Sequence, residues 1–107
     1  MAVKITRGTS DPKLAEFVGA LENYQNDHPQ AEIDLYRHGK YSVRVRIADP
    51  GFAGLNKSQR HRLAWPYVTA IPEETLSDLS SFLLLTPDEK SNSFASFEFD
   101  DPIPAVL

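Results

Sequence analysis

The sequence predicts an α+β fold: a three-stranded mixed sheet, in the order α-β-β-α-α-β, with helices on one face. Three observations indicate it: an amphipathic helical stretch near the N-terminus, two alternating runs joined at a glycine, and a third apolar run after further helical sequence. With 107 residues the chain has the size of one domain. We therefore predict an α+β domain over residues 1–90 and an acidic, phenylalanine-containing tail over 91–107 that packs on the domain or on a partner.

The first helix has clear signals at both ends. Asp11 is suited to cap it, and Pro12 fits the first helical position, where no N–H is needed. The helix ends at His28, because the residue before Pro29 is disfavoured in helical conformation. Apolar residues stand between these ends at helical spacing: Leu14, Phe17, Val18 and Leu21.

Two runs of alternating apolar and polar residues, 33–36 and 41–47, predict an antiparallel hairpin that turns at Gly39. The second run is apolar on one face and carries Arg44 and Arg46 on the other. We expect these two arginines on an open face of the sheet.

A second helix over about 57–69 contains Pro66, which should kink or divide it. A short acidic helix from Pro72 and the apolar run 79–85 follow. Because a helix connects the second and third strands, the third should lie parallel to the second. The stretch Thr86-Pro-Asp-Glu89 matches a capping box that opens a last short helix.

The third strand also suggests an interface. If Leu83 and Leu85 face the helices, then Phe82 and Leu84 point to the opposite, open face and mark a docking surface. The alternative is that this surface is covered by phenylalanines of the chain's own tail: Phe94, Phe97 and Phe99.

Charge and composition limit the classes of function that the chain can have. The net charge is −4 and cysteine is absent, which excludes disulfides, thiolate metal sites and cysteine nucleophiles. Residues 36–62 hold seven basic residues and one acid, a local +6 against −10 elsewhere. The longest apolar run is too short to span a membrane, and the N-terminus lacks a secretory signal, so we expect a cytoplasmic protein with no membrane partner.

The most specific stretch runs from Phe52 to Arg62. Phe52 and Gly54 form a Phe-x-Gly turn, followed after five residues by Arg60, His61 and Arg62. This spacing resembles the signature of the BolA family, and residues 85–89 look like the Thr-Pro-Glu-Glu stretch of that family. The resemblance covers roughly residues 11–90 and implies a topology similar to class II KH domains.

The resemblance implies DNA binding or transcriptional regulation, and pairing with a monothiol glutaredoxin across a shared [2Fe–2S] cluster. His38 occupies the loop position of one family cluster ligand, and it is the candidate metal ligand. Ser77 or Asp78 stands where the family's second ligand, a histidine, would fall. We expect no cofactor held by this chain alone.

No catalytic motif is present, and His28, His38 and His61 lack metal-ligand spacing. We therefore predict a non-enzymatic regulatory or binding module. The candidate contacts to nucleic acid or a partner are Arg44, Arg46, Gly54, Lys57, Arg60, His61 and Arg62. The alternative is a protein-interaction adaptor that binds a glutaredoxin-type partner or a second copy of itself.

Overall fold

A computed structural model describes residues 3–102 as a four-stranded sheet between two layers of helices. Residues 103–107 of the predicted tail, and the first two of the predicted domain, lie outside the described residues. The strands are β1 (Val3–Arg7), β2 (Glu32–Arg37), β3 (Val43–Ala48) and β4 (Leu79–Leu85). The helices are α1 (Pro12–Asp27), α2 (Lys57–Val68), α3 (Glu73–Leu76), α4 (Pro87–Asn92) and α5 (Phe94–Asp100), with a 3₁₀ turn at Pro50–Phe52.

The α+β class is confirmed, but the prediction of three strands is wrong. The order in the sheet is β1-β2-β3-β4, with β1 parallel to β2, β2 antiparallel to β3, and β4 parallel to β3 as predicted. The strand that sequence reasoning missed is β1, whose only apolar residues are Val3 and Ile5. Those two side chains extend the core of the sheet at one edge.

One side of the sheet, which we call the helix face, packs against α1 and α2. Alternate residues of the central strands point to this side, and they are fully buried together with one stripe of α1. The core of this face comprises Leu14, Phe17, Ala20, Leu21, Tyr24, Ala31, Ile33, Leu35, Val43, Val45, Ile47, Phe52, Ala64, Val68 and Ile71. The apolar stripe predicted for the first helix is therefore the stripe that forms the core.

The other side, which we call the tail face, is covered by α4 and α5. Phe99 is 1% exposed and its ring lies 4.8 Å from that of Tyr36, whose hydroxyl donates to the Phe99 carbonyl at 2.7 Å. The prediction of helices on one face only is therefore wrong. Phe94 and Phe97 point outward and are exposed, so only one of the three tail phenylalanines covers the sheet.

Helix α2 runs through Pro66 without a break, so this proline does not divide it. Within residues 3–102 no helix is both long enough and apolar enough to cross a membrane.

Candidate functional site

A groove of about 650 Å³ runs along the free edge of β4, and we call it the β4 groove. One wall is the start of α2 and the other is the connection between α4 and α5, while β4 forms the floor. It is lined by Leu55, Asn56, Lys57, Arg60, His61, Phe82, Leu83, Leu84, Leu85, Glu89, Ser93 and Ala95.

The floor of the groove corrects one prediction. Phe82 pairs in register with Val45, and Leu84 with Ile47, so both side chains lie on the helix face. There the Phe82 ring packs at 6.0 Å against that of Trp65. The two residues do not point to an open sheet face as we predicted, but both remain partly exposed in the groove.

The backbone of β4 presents hydrogen-bonding groups to the groove. The Leu85 carbonyl accepts from the Asp49 N–H at 2.9 Å, so the backbone of Leu85 points inward to β3. The Leu84 carbonyl accepts instead from Arg60 Nη1 at 3.0 Å, on the side away from β3. Because peptide groups alternate along a strand, the N–H and C=O groups of Phe82 and Leu84 point to the free edge.

The two edge strands of the sheet differ in charge. Strand β1 carries Lys4 and Arg7 and has an irregularity between Ile5 and Arg7, which are common devices against unwanted pairing. Strand β4 has neither a charged residue nor a proline between Leu79 and Leu85. No further strand pairs with β4 among residues 3–102, so it forms the other edge of the sheet, although its register against β3 is also irregular near Leu79.

Arg60 connects the two walls of the groove, and its guanidinium is already occupied by hydrogen bonds within the chain. Its Nη atoms donate to both carboxylate oxygens of Glu89, at 2.6 and 3.2 Å, and Nε donates to the Leu55 carbonyl at 3.0 Å. The hydrogen bond from Arg60 holds the pKa of Glu89 below its usual value. Glu89 also closes the capping box of α4 with Thr86, as predicted. Arg60 therefore fixes α4 against α2 and sets the width of the groove.

The start of α2 supplies a basic rim. Lys57, His61 and Arg62 are exposed, and the His61 ring stacks on Trp65 with the ring centroids 4.9 Å apart. A capping box between Asn56 and Gln59 begins the helix.

Gly54 adopts φ +79° in the turn that leads into α2. A side chain is disfavoured at this φ, so the turn itself accounts for the glycine. The predicted contacts to a ligand or partner would then come from neighbouring residues and not from Gly54.

Arg44 and Arg46 do not lie on an open face. Arg46 is buried, with its guanidinium 2.7 Å from Asp34 and 2.9 Å from Asp100. Burial lowers the pKa of Arg46, but its bonds to these two carboxylates outweigh burial and the net direction is upward. Arg44 pairs with Glu98 at 2.8 Å. Helix α5, which sequence reasoning left as an uncertain tail, covers both predicted contacts.

The basic segment, residues 36–62, is thus largely neutralised by carboxylates of the same chain. Four of its seven basic side chains pair with carboxylates: Arg37, Arg44, Arg46 and Arg60. Within residues 3–102 the other three, Lys40, Lys57 and Arg62, form no ion pair. The +6 read from the sequence therefore overstates the charge that a ligand meets.

His38 lies in the β2–β3 turn, where its ring makes an edge contact with Tyr36 at 6.2 Å. At the predicted second position, Asp78 is buried and accepts from Arg37 at 3.3 Å, and the Ser77 hydroxyl donates to the Glu74 carbonyl. No group of three or more potential ligands comes together among residues 3–102. Whether His38 contributes to a cluster shared with a partner stays a prediction.

Sequence reasoning missed the second wall of the groove, formed by Glu89, Ser93 and Ala95. The capping box signalled a helix start at Thr86 but not the side of the sheet on which the helix would pack. The contact between Arg60 and Glu89, 29 residues apart, joins the two walls, and no local pattern encodes it.

Comparison with known proteins gives no significant match: no family model, no curated protein and no solved structure is similar to the chain. The resemblance to the BolA family therefore remains an expectation from the sequence, based chiefly on residues 52–62 and 85–89.

Proposed function

We propose that this chain is a non-enzymatic protein-binding module that takes up an extended segment of a protein partner along the free edge of β4. The observation that carries the proposal is an uncharged, largely apolar edge strand at the floor of a groove of about 650 Å³. Binding clefts in proteins commonly have volumes of about 300–1,000 Å³.

The mode of binding follows from the geometry of β4. An added strand would exchange hydrogen bonds with the outward N–H and C=O of Phe82 and with the N–H of Leu84, whose carbonyl is already bonded to Arg60. These bonds supply affinity for any extended backbone. Its alternate side chains would enter the groove beside the Phe82 and Leu84 side chains, where shape and apolar contact supply selectivity. The exposed rim of Lys57, His61 and Arg62 favours acidic residues at one end of the segment.

Nucleic-acid binding is the second reading, and the geometry supports it less. Phosphate binding relies on several lysine or arginine side chains that are free to approach the backbone. Here most of the basic segment is engaged with carboxylates, and Lys40 sits in the β2–β3 turn, on a different element from Lys57 and Arg62. A glutaredoxin-like protein, implied by the BolA resemblance, is one partner to include in the test.

The experiment combines a peptide array with amide hydrogen exchange of the whole chain. We expect selected extended peptides to slow exchange at the amides of Phe82 and Leu84, while Leu83 and Leu85 change little because they already point to β3. The variant Ala95→Trp should abolish binding by filling the exposed wall of the groove. Ala15→Trp, on the exposed side of α1, is the matched control and should bind normally.

Two outcomes would contradict the proposal. Peptides that bind equally to Ala95→Trp, or that leave exchange at Phe82 unchanged, would place the binding surface elsewhere. Labelled single-stranded DNA or RNA that binds at low salt, with affinity lost in Lys57→Glu, would favour the nucleic-acid reading instead.

A further inference from the structure

We infer that the outer face of α5 is a second docking surface, which takes up a basic amphipathic helix of a partner protein. The surface consists of Phe94 and Phe97 with the acids Glu98 and Asp101, and we call it the α5 stripe. It is separate from the β4 groove, so the inference does not rest on the proposed function.

The sides of helix α5 have different surroundings. Ser96 and Phe99 are buried against the sheet, and Ala95 lines the β4 groove. Phe94 and Phe97, which stand one turn apart, point away from both and are 88% and 53% exposed. These two phenylalanines therefore add little to the core and form an apolar pair in contact with water.

A pair of neighbouring exposed aromatic side chains indicates an interaction site. Single exposed apolar residues are ordinary on protein surfaces, whereas contiguous apolar patches mark surfaces that bind. Aromatic side chains are also the residues that most often anchor a protein interface. Tyr41, by contrast, is exposed in the β2–β3 turn with the ammonium of Lys40 5.5 Å from its ring centroid.

The charges of the stripe favour a basic partner. Each phenylalanine is followed after four residues by an acid on the same side of the helix, Phe94 by Glu98 and Phe97 by Asp101. Asp101 is exposed and forms no ion pair within residues 3–102. Glu98 pairs with Arg44, and of these two side chains the carboxylate is the more exposed. Acidic groups are therefore what a partner meets beside the phenylalanines.

The wider surroundings of the stripe are acidic as well. Residues 86–102 contain five acids and one lysine, and the whole chain has a net charge of −4. An exposed cation, Arg7 of β1, does reach α5, where its Nη1 donates to the Asp100 carbonyl at 3.4 Å. That contact lies at the end of the helix away from Phe94, where Asp100 and Asp101 are both exposed.

A helix is the partner element that fits this surface. Helix α5 offers side chains and no strand edge, so a partner helix can pack an apolar stripe against Phe94 and Phe97. Lysine or arginine beside that stripe would meet Glu98 and Asp101. Pairing of two α5 stripes would instead bring acids together, and the anionic surface of a membrane would repel them.

The first test titrates the full chain with three synthetic peptides of about 18 residues, long enough to form a helix. One has leucine at helical spacing and lysine elsewhere, the second has glutamate in place of lysine, and the third is a scrambled order of the first. We expect the leucine–lysine peptide to bind at least about tenfold more tightly than the other two. Heteronuclear NMR spectra at low salt should show shifts at Phe94 and Phe97 and none at Phe82.

The second test removes the phenylalanines. Phe94→Ala with Phe97→Ala should weaken binding of the leucine–lysine peptide at least about tenfold. Tyr41→Ala, which truncates an exposed aromatic residue outside the stripe, is the matched control and should bind normally. The double variant should fold like the wild type, because both phenylalanines are more than half exposed.

The third test reverses one charge. Asp101→Lys should weaken the leucine–lysine peptide by about threefold and strengthen the leucine–glutamate peptide. A cation at the end of a helix is favourable, so this variant should fold normally.

Two variants separate this surface from the β4 groove. Ala95→Trp, which fills the groove, should leave the affinity for the leucine–lysine peptide unchanged. The double alanine variant should still take up extended peptides with protection of Phe82. If the leucine–lysine peptide fails to bind while extended peptides still protect Phe82, the inference is overturned and the proposed function is left intact.

Other outcomes also overturn the inference. Equal binding of the lysine and glutamate peptides would remove the preference for a basic partner, and unchanged affinity in the double alanine variant would place the contact elsewhere. Self-association of the wild type that requires Phe94 and Phe97 would assign the stripe to a second copy. Binding to phosphatidylcholine vesicles that the double variant loses would assign it to a membrane.

Discussion

The two faces of the sheet are built by different chemistry. On the helix face, the side chains that meet are almost all apolar, from Phe17 of α1 to Ile47 of β3. On the tail face, the buried groups include Asp34, Arg46 and Ser96, which are held together by ion pairs and hydrogen bonds. One sheet thus has a side whose stability depends on burial of apolar area and a side that also needs its charged partners to be present.

This difference between the two faces explains which half of the fold can be recognised from sequence patterns. A buried apolar stripe has the same periodicity as the element that carries it, so α1 and the alternating apolar residues of β2 and β3 could be predicted. Arg44 and Arg46 have the alternation of an exposed face, although the partners that cover them come from α5, about 50 residues later. Charge pairs over such distances leave no periodic signal.

The largest expected effect lies on the helix face. Phe17→Ala should lower the free energy of unfolding by about 4 kcal/mol, because Phe17 is completely buried and the truncation leaves a cavity. Urea denaturation followed by far-UV circular dichroism measures this. Phe94→Ala, which truncates a phenylalanine that is 88% exposed on α5, is the control and should change stability by less than about 0.5 kcal/mol.

A somewhat smaller loss is expected from breaking the charged core of the tail face. Arg46→Met should cost about 3 kcal/mol, because it leaves the carboxylate of Asp34 buried without its main cation. The double variant Arg46→Met with Asp34→Leu should recover most of that loss. Arg46 Nε has no hydrogen-bond partner within residues 3–102, so the pair is imperfect even in the native state. A double variant as unstable as the single one would contradict this account.

The third prediction concerns the cap that orients the tail. Thr86→Ala removes the hydroxyl that accepts from the Glu89 N–H, and should cost about 1 kcal/mol. Hydrogen exchange should accelerate in α4 while exchange in α1 is unchanged. Thr86→Ser keeps the hydroxyl and should behave like the wild type. If hydrogen exchange accelerates equally in α1 and α4, the two faces of the sheet open together and not independently.

The smallest expected effect depends on pH and lies at the start of α1. Hydrogen bonds from Arg37 lower the pKa of Asp11 from 3.8 to about 2. A carboxyl with a lowered native pKa stabilises the fold above its unfolded value, and this contribution is lost as the pH falls from about 4 to about 2. Because Asp11 is partly exposed, we expect less than about 1 kcal/mol.

Asp11→Asn isolates this effect, because asparagine still caps the helix but carries no charge. Urea midpoints measured between neutral pH and pH about 2 should fall less steeply for the variant than for the wild type. Equal slopes would show that the pair with Arg37 contributes nothing to acid sensitivity.

The candidate site was predicted only in part. The residues at the start of α2 do form one wall of the groove. This wall could be predicted because the Phe-x-Gly turn and the capping residues of α2 are local sequence signals. The orientation of Phe82 and Leu84 was predicted the wrong way round. An all-apolar strand such as 82–85 has no alternation, so only pairing with β3 decides which side chain faces which layer.

The ion pairs that hold α5 on the tail face have a consequence for the order of folding. The chain is made from its N-terminus, so the strands that carry Asp34 and Arg46 are complete well before Ser96 and Phe99 exist. During that interval the arginine has only the aspartate as a partner, and the ring of Tyr36 faces water. The tail face of the sheet therefore stays exposed to water in the nascent chain until residues 94–100, which form α5, have been added.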